Sequence, residues 1–140
     1  MALPGLTGVD HIAVIASDYR RSKQFYIDVL GGQIIAETYR EARDSYKLDL
    51  AYPGFQIELF NFPAPPPRPS RPEAQGLRHL AFQVANLDES IDYLEGLGVP
   101  VEPVRVDELT GQRFTFFQDP DGLPLELVET KPANKHEGDR

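Results

Sequence analysis

The apolar positions of this chain alternate in short runs, and they do so twice over. Gly8–Ala16 places Ile12 and Val14 on one side and His11 and Ala13 on the other. Arg78–Val84 places Leu80, Phe82 and Val84 opposite His79 and Ala81. Period-two patterning of this kind predicts a strand with one buried face. After each strand the period changes to that of a helix. Phe25, Tyr26, Val29 and Leu30 form the first stripe, with Ser17 or Asp18 as N-cap and Gly31 as the stop. Ile91, Leu94 and Leu97 form the second, opened by the capping-box pattern Asn86-Leu87-Asp88-Glu89 and closed by Gly98. Three strands are predicted next in each half. They are Gln33–Arg40, Tyr46–Tyr52 and Phe55–Phe60, then Val101–Val106, Gln112–Gln118 and Leu123–Val128. Tyr52-Pro53-Gly54 and Pro120-Asp121-Gly122 supply the turns before the last strands.

The two halves align at a shift of 68 residues. His11-Ile12-Ala13-Val14 falls on His79-Leu80-Ala81-Phe82, Ser22 on Ser90, and Gly54–Phe60 on Gly122–Val128 with Glu58 on Glu126. The pattern is therefore two βαβββ modules of an α+β fold within one domain. The expected boundaries are 7–62 for module one, 63–75 for a proline-rich linker, 76–129 for module two and 130–140 for a polar tail holding His136. Six of the ten residues from Pro63 to Pro72 are proline, so the linker cannot join a sheet ladder and reads as a semi-rigid spacer. The alternative is that Arg68 or Arg71 reaches over a site.

Composition narrows the chemistry. The 140 residues include no cysteine, which excludes disulfides, thiolate metal sites and a cysteine nucleophile. A net charge of −8 speaks against nucleic acid or an anionic membrane as partner. No apolar run reaches the ~20 residues of a membrane span. Met1–Asp18 carries no Lys or Arg, and Ile12–Ala16 is too short for a signal peptide core, so the expected compartment is the cytoplasm.

His11, Glu58, His79 and Glu126 all lie opposite the most apolar face of their strands, and each His has a small Ala two positions on. Two imidazoles and two carboxylates, one pair per module, point to a divalent transition metal: Zn or Ni first, with Co, Mn or Fe(II) open. Strand alternation offers Lys47, Asp49, Thr115 and Phe117 as residues lining a substrate cavity. Arg43, Arg78 and Arg113 are candidate carboxylate clamps.

The opening Val9-Asp10-His11-Ile12-Ala13, the segment Gly76–Phe82 and the closing Asp119-Pro120-Asp121-Gly122-Leu123-Pro124-Leu125-Glu126-Leu127 resemble the vicinal oxygen chelate superfamily, in its glyoxalase I-like branch. The resemblance runs from about Gly8 to Glu129. It implies a mixed sheet curved around a metal-binding cleft, with His11, Glu58, His79 and Glu126 as ligands of one ion. It further implies a homodimer and a small-molecule substrate such as a thiol hemithioacetal of a 2-oxoaldehyde. A glyoxalase-type lyase or isomerase follows, with Glu126 as first candidate base and Glu58 as second. Other metalloenzymes of the superfamily (thiol transferase, epimerase, dioxygenase) and a non-catalytic binding protein are the alternatives. Either arrangement of the modules, within one chain or exchanged between two, supplies one His–Glu pair per module.

Overall fold

The structure is a computed structural model and describes residues 2–130. His136 lies outside the described residues. The chain divides between Pro67 and Arg68 into two compact units. Each unit holds a four-stranded mixed sheet, as the repeat predicts.

In the first unit the strands are β1 (His11–Ala16), β2 (Gln33–Arg40), β3 (Ser45–Tyr52) and β4 (Phe55–Asn61), in the order β1-β4-β3-β2. β1 runs parallel to β4, and β4 and β2 run antiparallel to β3. In the second unit β5 (Leu80–Val84), β6 (Arg105–Val106), β7 (Arg113–Gln118) and β8 (Pro124–Glu129) repeat that arrangement in the order β5-β8-β7-β6. β6 is much shorter than the expected Val101–Val106, because Pro100 and Pro103 cannot donate to a ladder.

The helix of each unit packs on its last strand, α1 (Tyr19–Gln24) on β4 and α2 (Leu87–Gly96) on β8. Both N-caps are as patterned. The Asp18 side chain accepts from the Arg21 N–H at 3.1 Å, and Asn86 Oδ1 accepts from the Glu89 N–H at 3.0 Å. Gly31 and Gly98 take the left-handed conformation that stops each helix. Two details differ from the sequence pattern. The first helix does not stay regular to Leu30: Phe25–Val29 form one wide π-type turn, with the Leu30 N–H bonded to the Phe25 carbonyl. In the second helix the buried stripe is Leu87 and Leu94, while Leu97 is 51% exposed.

The cores follow the strand alternation. Leu48, Leu50, Ile57 and Leu59 are fully buried in the first unit, and Leu125 is in the second, with Leu127 nearly so. Each contributes roughly 2 kcal/mol by leaving water. The opposite faces of β4 and β8 are only partly covered, and Glu58 and Glu126 stand there.

Candidate functional site

In the first unit β1 and β4 pair with Ala13 beside Glu58 and His11 beside Gln56. The small Ala13 side chain leaves the imidazole of His11 room to lean toward the carboxylate. His11 Nε2 stands 3.4 Å from Glu58 Oε2. The other ring nitrogen, Nδ1, is 2.7 Å from Asp10 Oδ2. A carboxylate at that distance holds the proton on Nδ1 and turns the Nε2 lone pair toward Glu58, the orientation a metal ligand needs. The bond to Asp10, aided by the charge of Glu58, raises the His11 pKa above the usual imidazole value, against burial and Lys47.

On β3, Asp49 pairs with Glu58 across the ladder. Lys47 Nζ donates to Asp49 Oδ1 at 2.8 Å and approaches Glu58 Oε2 at 3.8 Å. Hydrogen bonding to Asp49 holds the Lys47 ammonium above its usual pKa. The first site face therefore gathers His11, Glu58, Asp49 and Lys47, all four named by the sequence.

In the second unit His79 precedes β5, and Ala81 lies beside Glu126. His79 Nε2 stands 3.0 Å from Glu126 Oε1. Its Nδ1 meets Arg78 Nη1 at 3.1 Å rather than a carboxylate. A guanidinium can only donate, so in this contact Nδ1 accepts and the proton sits on Nε2, facing Glu126. The two pairs thus share spacing but differ in how the imidazole is held.

Three sequence expectations fail in the second unit. Thr115 and Phe117 do not share the face of Glu126, although Phe117 borders a cavity beside Arg68 and Arg71. They share the core face with Leu125 and Leu127, at 0% and 2% exposure, and the Thr115 hydroxyl donates to the Glu102 carbonyl at 2.6 Å. The residue opposite Glu126 is Phe116, whose ring meets that of His79 edge-on at 5.1 Å. The reason is a one-residue slip in the repeat. The β3–β4 turn closes Tyr52 on Phe55, whereas β7–β8 closes Gln118 on Pro124. The longer loop is organised by Asp119, whose Oδ1 accepts from the N–H groups of Asp121 and Leu123. The shift of 68 that holds for both His and Glu is one too many in the third strand of each unit. Phe116 was therefore missed, although counting the loop residues would have found it. Arg113 also leaves the candidate site: it pairs with Asp88 at 2.6 Å in the first turn of α2 and with Glu129 at 3.6 Å. Arg43 is exposed in the short turn before β3 and makes no bond among the described residues.

The donors suit a divalent ion in type and spacing. Two ligands about 2.1 Å from one ion lie about 3.0 Å apart at a right angle and about 3.4 Å apart at a tetrahedral angle. The pairs measure 3.0 and 3.4 Å. Among the described residues no cluster of three or more His, Cys, Asp or Glu side chains gathers as for an ion, so the geometry present is that of two donor pairs.

Comparison with known proteins agrees with the fold. Residues 8–127 match the model of the glyoxalase/bleomycin resistance protein/dioxygenase superfamily. YaeR of Escherichia coli (strain K12) is 61% identical over 126 residues, covering 89% of this chain and 98% of that one. YwkD of Bacillus subtilis (strain 168) is 60% identical over 125 residues, with the same coverage. A glyoxalase family protein of Enterococcus faecalis superposes with a TM-score of 0.83 at 47% identity, over 87% of this chain and 97% of that one. More distant are a 2-epi-5-epi-valiolone epimerase of Actinomyces sp, 28% identical over 90% of this chain and 81% of its own, and the fosfomycin resistance protein FosX of Listeria monocytogenes. The latter, solved with Mn(II) and a dihydroxypropylphosphonic acid, has a TM-score of 0.70 at 21% identity, over 90% of this chain and 94% of that one. With the family model spanning both sheets and both His–Glu pairs, the chain belongs to the glyoxalase/bleomycin resistance protein/dioxygenase superfamily.

Proposed function

We propose that the chain is a metal-dependent enzyme that moves a proton between carbons of a small oxygenated substrate, with His11, Glu58, His79 and Glu126 as ligands. The observation that carries this reading is the repeated His–Glu pair, at 3.4 and 3.0 Å, on the open face of both sheets. Mn(II) in the FosX structure supports a metal in this fold. A bound divalent ion would supply Lewis-acid polarisation of a substrate oxygen next to the carbon that loses its proton.

The chain's own part is to hold the substrate and carry the proton. Glu126 is the base. It takes the proton on a carboxylate oxygen and returns it to the neighbouring carbon. Glu58 is the poorer candidate because the Lys47 ammonium stands 3.8 Å from it and competes for its oxygens, while no Lys or Arg pairs with Glu126 among the described residues. Phe116 beside His79 shields that end from water. The specific reaction we assign is that of a glyoxalase on a thiol hemithioacetal of a 2-oxoaldehyde, the thiol coming with the substrate because the chain has none. An epimerase reaction is the second reading, favoured by the Actinomyces relative; there a proton must reach the opposite face of the carbon that lost one, so a second acid besides Glu126 is required.

Metal titration joined to turnover tests this. The expected result is one Ni or Zn per chain, bound at least tenfold more weakly by Glu58→Gln and by His79→Gln, the loss typical of a disturbed ligand shell. Loaded wild-type protein should turn over methylglyoxal with a thiol, and Glu126→Gln should not. If a double variant lacking both His11 and His79 binds metal as wild type does, the ligand assignment is wrong. If loaded protein acts on no oxoaldehyde–thiol pair, the glyoxalase reaction is wrong.

A further inference from the structure

The second unit has a cavity of about 290 Å³ whose wall includes four arginines, Arg68, Arg71, Arg78 and Arg105, against two glutamates, Glu73 and Glu102. In a chain of net charge −8 this is an inverted local balance. Two of the arginines are neutralised: Arg78 pairs with Glu73, and Arg105 with Glu102 at 2.9 Å. The other two are not. Arg68 is half-buried and spends its donors on neutral oxygens, the Ser70 hydroxyl at 2.8 Å and the carbonyls of Leu77 and Arg78 at 2.8 and 2.9 Å. These contacts fix the guanidinium in place without cancelling its charge. Arg71 makes no ion pair or hydrogen bond among the described residues.

We infer that this cavity is a binding site for a flat organic carboxylate. Two uncompensated guanidiniums in one concave wall raise the local potential and favour an anion. The planar fork of Arg71 matches a carboxylate in two-point contact, and Arg68, its Nε and Nη2 already bonded, adds a single contact through Nη1. The wall that would meet the rest of the ligand is aromatic. Phe116 and Phe117 line the cavity, and the Arg105 guanidinium lies 5.3 Å from the ring centroid of Phe116. The prolines around Arg68 and Arg71 restrict the backbone before any ligand arrives, which lowers the entropy cost of binding. The cavity adjoins the His79–Glu126 pair through Phe116 and Arg78, both of which touch His79. That the far end of the ligand reaches this pair rests on the proposed function; the carboxylate site itself does not.

The test uses the whole chain free of metal, so that it is independent of the metal assignment. Benzoate, benzyl alcohol and inorganic phosphate are titrated separately, and backbone amide shifts are followed by NMR. Benzoate should give saturable shifts at Arg71, Arg105 and Phe116. Arg71→Gln, which breaks no bond in the fold, should weaken benzoate about tenfold through loss of a charge-assisted contact. Arg20→Gln, an equal charge change at an exposed position of α1, should leave it within about twofold. Benzyl alcohol binding as tightly as benzoate would overturn the site, and so would equal weakening by the two variants. Phosphate binding as tightly as benzoate would overturn the flat-ligand assignment.

Discussion

Single side chains decide more here than their number suggests. Gly32 is the clearest case. A methyl group there would lie 2.6 Å from the Tyr52 hydroxyl and 3.0 Å from the Tyr26 carbonyl. That hydroxyl donates to the Tyr26 carbonyl at 2.7 Å and closes the wide turn onto β3. Gly32→Ala should therefore destabilise by about 1–3 kcal/mol. Tyr52→Phe should cost about 1 kcal/mol. The double variant should lose somewhat less than the sum, because Phe removes the closest clashing atom while the ring carbon at 2.8 Å stays, and denaturant melts of all four proteins measure this. Arg78 is a second case. Its contact with Nδ1 places the His79 proton on Nε2, where an ion would bind. Arg78→Gln should raise the affinity for Zn severalfold in a competition titration. Lower or unchanged affinity would show that the contact does not hold the tautomer. Both His and both Glu were legible because each stands on an otherwise apolar strand. The tautomers were not, since they depend on whether a carboxylate or a guanidinium neighbours the ring.

Elements are tied together by ion pairs that the strand pattern does not reveal. Glu37 on β2 accepts from Tyr19 at 2.5 Å and from Lys23 at 2.8 and 3.0 Å, joining α1 to the edge strand. The Lys23 ammonium first, then the Tyr19 hydroxyl, holds the Glu37 carboxyl below its usual pKa. A lowered carboxylate pKa adds stability at pH values above the unfolded value and loses it as pH falls through the folded value. Glu37→Gln should accordingly destabilise by about 1 kcal/mol at neutral pH and by nothing in strong acid, read from melts across pH. Arg113 acts in the same way on α2, through Asp88 and Glu129. Arg113→Gln should lower the melting temperature and leave kcat and KM unchanged. A raised KM would return Arg113 to the substrate site. The strands themselves were readable from alternation to within a few residues, except β6. The pairing register of β7 was not, because one residue in a loop turns every side chain of a strand to the other face.

For the whole molecule, the repeat is the main fact, and its consequence is thermodynamic. On the proposed ligand assignment, metal binding favours the folded chain. An ion at about 100 times its Kd should stabilise by about 2.7 kcal/mol. The thermal midpoint should rise with Ni or Zn, fall again with chelator, and rise only about half as far in Glu126→Gln, where tenfold weaker binding leaves about 1.4 kcal/mol. A rise of equal size in that variant would place the ion elsewhere. Among the described residues no helix is long and apolar enough to cross a membrane.

The sequence by itself determined the two-module α+β plan, the order of elements, both helix caps and the two His–Glu pairs. These depend on local period and on residue type, which survive divergence between the halves. Tertiary structure decided what depends on neighbours distant in the chain. It set Phe116 rather than Phe117 opposite Glu126, because the β7–β8 loop is longer than its counterpart. It took Arg113 to a helix terminus and Thr115 to the core. It also turned the proline segment from a spacer into the wall of a basic cavity, since only folding brings Arg68 and Arg71 beside Arg78, Arg105 and Phe116.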